Sequence, residues 1–155
     1  METCTTRCAL ATLVAVAAGV GVPSAAGAVS GADTRLQDAV VKQRAALLAL
    51  QQPGGRSYQR ALTNVDAALA DLRAAKSALA TRARQTGSFP HIDVIQQLLD
   101  QALGAENIAA TLLTEEVLLV RGGAPATTVP IALLRSRLRE GLSATTGLAK
   151  LTDGL

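Results

Sequence analysis

Residues 57–86 read SYQRALTNVDAALADLRAAKSALATRARQT, and this stretch decides the fold. Tyr58, Leu62, Val65, Leu69, Leu72 and Leu79 return at steps of four and three, with Lys76 interrupting the stripe. That is the period of a helix with one buried face. Ala61, Ala68 and Ala75 lie beside the stripe. Small residues there let a neighbouring helix approach closely at a shallow angle. The spacing predicts a single helix of about 30 residues, ~45 Å long at 1.5 Å per residue.

Working outward, Gly87-Ser88-Phe89-Pro90 ends this helix, and Pro90 suits the first turn of the next. That next helix is expected from Pro90 to Val120. Ile92, Ile95, Leu99, Leu103, Ala110, Leu113, Val117 and Val120 form one stripe. Leu98, Ala102, Ile108, Ala109 and Leu112 form a second. Two stripes imply two partner helices. Gly104 is the weak point, where the helix either bends or splits.

On the N-terminal side, Pro53-Gly54-Gly55 stops a helix expected from Ser30 or Asp33 to Gln52. Its stripe is Leu36, Val40, Leu47 and Leu50, widened by Val41 and Leu48. On the C-terminal side, Arg121 to Thr127 is the longest loop, Thr127 or Thr128 caps the last helix, and Pro130 fits its first turn. Ile131, Leu134, Leu138, Leu142, Thr145, Leu148 and Leu151 carry the final stripe, with Gly141 and Gly147 expected to fray it. Four helices with short connections imply an all-α, antiparallel up-down-up-down four-helix bundle with a long central hairpin. The alternative is a three-helix core with a loosely attached fourth helix.

The first 28 residues stand apart from this domain. Arg7 supplies a positive start, Ala9 to Val22 carries no charge, and Ala26-Gly27-Ala28 places small residues where a signal peptidase cuts. We expect a secretory signal peptide over 1–28, a single helical domain over 29–155, and a secreted or cell-envelope location. Cys4 and Cys8, the only cysteines, leave with the leader. The remaining chain then has no thiol for disulfide, nucleophile or metal. It keeps a charge of +3, because Glu2 and Arg7 depart together. Leu, Ile, Val and Phe make 35 of its 127 residues, enough for a real core. No later segment reads as membrane-spanning.

Composition narrows the chemistry. One Tyr, one Phe and no Trp leave no stacking platform for single-stranded nucleic acid. His91 is the only imidazole and reads as a helix-start residue, with Ser57 and Ser88 as turn or capping residues. Adjacent Glu115 and Glu116 form no di-metal motif, Asp93 and Asp100, seven residues apart, read as a solvated stripe, and Asp66 and Asp71 lack metal-loop spacing. Haem would have to use His91 or Tyr58, which lie toward opposite ends of the bundle. No catalytic residue, cofactor or metal site is expected. The different-class alternatives are a carrier of a small apolar ligand within the bundle and a hydrolytic enzyme.

Charge placement is the remaining signal. In an up-down bundle the first and third connections share a pole, which gathers Arg56, Arg60, Arg121, Arg135 and Arg137, with Glu115 and Glu116 as the nearest carboxylates. The other pole mixes Lys76, Arg82, Arg84 and Lys150 with Asp33, Asp38, Asp93, Asp100 and Asp153. Guanidinium groups hold carboxylate or phosphate in a two-pronged grip. We therefore expect a non-catalytic binding or structural protein whose five polar-end arginines meet a protein or an anionic envelope component. Self-association is open, and specific nucleic-acid recognition is not expected.

Overall fold

The computed structural model describes residues 25–52, 54–124 and 130–153, and side chains in the first helix from residue 31 onward. Most of the leader, Pro53 and the proposed caps Thr127 and Thr128 lie outside the described residues. Four helices follow one another: α1 (Ala25–Ala49), α2 (Gly55–Thr86), α3 (Ile92–Arg121) and α4 (Ile131–Thr152). α1 packs on α2, α2 on α3, α3 on α4, and α4 closes back onto α1, while the diagonal pairs make no close backbone approach. This is the antiparallel up-down bundle that the stripes and short connections predict.

Several boundaries move. α1 starts at Ala25 rather than Ser30, because the small residues at 25–28 are mostly alanine and continue the helix readily. A cut after Ala28 would shorten the helix without removing any residue of the described core, which begins at Ala32. α2 ends at Gly87, whose φ of 78° is a conformation that glycine adopts at little cost. α3 begins at Ile92, so Pro90 precedes the helix instead of entering its first turn. His91 holds the N-cap position in the left-handed region, φ 60°, and its side chain makes no capping bond. Pro130 likewise sits at the N-cap of α4, just before its first turn. Gly104 neither splits nor ends α3, and α4 runs unbroken through Gly141 and Gly147. Tertiary packing outweighs the local cost of each glycine.

The core has two apolar halves. One gathers Leu36, Leu72, Leu79, Ile95, Leu99 and Leu148. The other gathers Leu50, Tyr58, Val65, Leu113, Leu134 and Leu138. Ala32, Ala39 and Ala46 on α1, and Ala61, Ala68 and Ala75 on α2, are completely buried. Each set repeats every seventh residue, and α1 and α2 are the most extensively apposed pair. Two expected core residues face outward instead: Val41 is 65% and Leu48 64% exposed. Their side of α1 lies away from both α2 and α4. Ile108 in the second stripe of α3 is also exposed.

Candidate functional site

The basic end is assembled by the two connections the sequence places together. A Cβ built on Gly55 would lie 2.7 Å from Val120 Cγ1, so the start of α2 sits directly against the end of α3. Glycine is needed there for the close approach. Arg121 donates to Gln59 Oε1 at 2.9 Å, tying the same two helix ends. Arg135 donates to the Leu50 carbonyl, tying α4 to the residue that follows α1. Gly122 and Gly123 continue the turn beyond α3, with Gly123 at φ 81°.

The five predicted arginines are not equivalent. Arg56, Arg60 and Arg121 are exposed, while Arg135 and Arg137 are half-buried. Arg137 pairs with Glu140 one turn along its own helix, 2.8 Å away. Arg121 and Arg135 hold the neutral acceptors just named. Arg56 and Arg60 have no carboxylate within ion-pair distance among the described residues. Two further arginines, Arg44 on α1 and Arg139 on α4, are exposed and likewise have no carboxylate within ion-pair distance among the described residues. With Arg135 they line a groove between α1 and α4 whose remaining walls are Leu47, Leu48 and Gln51. Across Leu48 a second groove, between α1 and α2, contains Arg60 with Gln52, Ser57, Thr63 and Asn64. Arg44 and Arg139 were missed because the sequence reading counted residues flanking the connections and not those two turns inside the helices.

Beneath this end lies Glu116, one of the two carboxylates expected nearest the basic pole, and it is buried. Tyr58 is buried with it, and its phenol is pushed above the ordinary value. Burial is the main cause, Glu116 adds to it, and Arg135 opposes it. Tyr58 is therefore a neutral core side chain at any physiological pH.

Between the two apolar halves runs a polar waist that no stripe announced. Gln43 on α1, Glu106 on α3 and Thr145 on α4 are all completely buried. Gln43 Nε2 donates to Thr145 Oγ1 at 3.0 Å, and the Thr145 hydroxyl donates to the Gly141 carbonyl at 2.8 Å. Glu106 rests against Gly141, where a Cβ would lie 2.6 Å from its Oε1. Neither carboxyl oxygen has a well-formed hydrogen bond, and neither does Gln43 Oε1. Burial raises the Glu106 pKa to about 7, opposed only in part by the Gln43 amide alongside. A third buried carboxylate, Asp71 on α2, is by contrast held by Arg35 at 3.2 Å and by Lys42.

The other sequence candidates are dispersed. His91 and Ser88 are exposed at the opposite pole. Asp100 pairs with Lys76 at 2.7 Å. Arg82 lies 5.3 Å from the Phe89 ring centre. Beside them a groove of about 300 Å³ opens between α2 and α3, with Leu79, Phe89, Ile92, Ile95 and Leu99 in its walls. Among the described residues no cluster of three His, Cys, Asp or Glu side chains could hold a metal, and no helix is long and apolar enough to cross a membrane. Comparisons with protein-family models, curated proteins and solved structures return no match to this chain.

Proposed function

We propose that this chain is an exported, non-catalytic bundle that binds an anionic partner at the end of the molecule carrying Arg56, Arg60, Arg121 and Arg135. The observation that supports this reading is the set of exposed guanidinium groups, Arg44, Arg56, Arg60 and Arg139, with no carboxylate within ion-pair distance among the described residues. Four unopposed positive charges concentrated at one end raise the local potential and attract anions from solution. The tethers of Arg121 and Arg135 keep the helix ends together, so the charged surface is presented on a fixed frame.

The test compares Arg56→Glu/Arg60→Glu with Arg84→Glu/Lys150→Glu at the opposite pole, both pairs exposed. Binding to native envelope extract falls for the first pair and weakens with salt. Equal losses from both pairs, or binding indifferent to salt, refute a localised anion site. Export is tested separately by intact mass: secreted material begins at or near Val29, and retention of Cys4 and Cys8 refutes the leader.

A second reading, carriage of a small apolar ligand, draws on the groove beside Phe89 and places the ligand there, between α2 and α3. Ala83 lines that groove, so Ala83→Phe abolishes uptake of a fluorescent apolar probe if the reading is right. Uptake unchanged in that variant refutes it.

A further inference from the structure

The outer face of α1 is amphipathic in the wrong direction for a helix with no outside partner. Val41 and Leu48 are seven residues apart and both largely exposed. Arg44 and Ala45 stand between them, and Gln51 follows one turn later. Seven-residue spacing of apolar side chains is the pattern by which one helix packs along another. The charges flanking the C-terminal half of this seam have one sign. Arg44, Arg135 and Arg139 line the groove on the α4 side, Arg60 lies in the groove on the α2 side, and no carboxylate lines either.

We infer that this face takes an acidic amphipathic helix of a partner protein, laid along α1 with its apolar side chains against Leu48 and its carboxylates over Arg44, Arg60 and Arg139. The inference rests on the reading of this end as an anion-binding surface and names its partner. Charge complementarity selects the sign of the partner, because four guanidiniums with no ion-paired carboxylate among the described residues disfavour a basic or neutral helix. The shape selects a helix over a bilayer. Leu48 is a ridge with a concave groove on either side. A flat lipid surface meets the ridge and leaves the groove walls in water, whereas the side chains of a helix enter both grooves. Gln51 borders both grooves, and Asn64 and Thr63 lie in the α2-side groove. They offer neutral hydrogen bonds between the charged positions and so help fix the orientation.

The experiment uses three probes: a labelled synthetic helix with leucines at seven-residue spacing flanked by glutamates, the same composition scrambled to destroy the apolar face, and phosphatidylglycerol vesicles. The ordered helix binds by fluorescence anisotropy and the scrambled one binds much more weakly. Arg44→Glu/Arg139→Glu lowers the affinity roughly tenfold or more, equivalent to ~1.4 kcal/mol. Leu48→Gln lowers it at high salt, where charge attraction is screened. Leu118→Gln, an equally exposed apolar site on α3, leaves it unchanged. All these positions are exposed, and circular dichroism verifies the fold of each variant. Equal binding of ordered and scrambled helices overturns the inference. Vesicle binding without helix binding also overturns it, while leaving the anion-binding end intact. Failure of helix and vesicles alike overturns both.

Discussion

Replacing Glu106 by glutamine should make the protein more stable at pH 8 and leave it unchanged near pH 4. The carboxyl is completely buried, and its pKa stands at about 7 in the fold against 4.5 when unfolded. The folded state therefore binds the proton more tightly, and folding takes up a proton between those values. Stability from this group is fully present below pH 4.5 and is lost as pH rises through about 7. At ~1.4 kcal/mol per pH unit, the difference amounts to about 3 kcal/mol by pH 8. That is a large share of the marginal stability of a domain this size. Glutamine keeps the shape, carries no charge, and can donate to the orphaned Gln43 Oε1. Urea unfolding followed by circular dichroism from pH 4 to 8.5, at fixed ionic strength, measures both proteins. The difference between them should grow over pH 4.5–7 and then level. Every other titrating group is common to the two proteins and cancels in that difference. Parallel pH profiles for the two proteins would refute the argument.

Gly141→Ala, which in an ordinary helix gains ~1 kcal/mol, should instead cost about 1–3 kcal/mol because the new methyl meets Glu106; denaturant midpoints will show the loss, and it should vanish in a Glu106→Ala background. Leu113→Ala should cost ~2–5 kcal/mol at its fully buried site. Ile108→Ala, on the exposed side of the same helix, should stay within ~0.5 kcal/mol in the same chemical denaturation. His91→Gly should raise the thermal midpoint, since relief of the left-handed conformation gains about 1 kcal/mol before the entropy of glycine is subtracted.

Helices were legible because their apolar residues recur at three and four, a signal that survives interruptions such as Lys76 in α2. Val41 and Leu48 were misread because hydrophobicity says that a residue prefers burial and not that a neighbour exists to bury it. α1 has neighbours on one side only, and these two residues fall on the other. The polar waist was overlooked for the converse reason. Glu106 carries no motif that draws attention to it, yet it fills the gap between Leu103 and Ala110 in its own stripe. Gln43 fills the gap between Val40 and Leu47, and Thr145 stands in the stripe of α4. Three polar residues at core positions of three helices were the available clue. Only the bundle topology brings them to one level. The basic end was readable from connection lengths, but the pairing of Arg137 with Glu140 and the exposure of Arg139 depend on helical phase within a single turn.

The alanines between α1 and α2 set the distance between those helices without settling their alignment. Ala32, Ala39 and Ala46 present the same surface every seventh residue, and Ala61, Ala68 and Ala75 do likewise. A slide of one heptad, about 10.5 Å along the axis, would bring alanine back against alanine. Asp71 breaks this degeneracy. It sits between Arg35 and Lys42, themselves seven residues apart, so a slide in either direction strips one cation from it and leaves a buried carboxylate half-compensated. A vernier works in the same way: evenly ruled scales make many near-matches, and one distinguished mark tells which is correct. In this hairpin the distinguished mark is a single charge, and the repeat that makes the helices fit also makes that charge necessary.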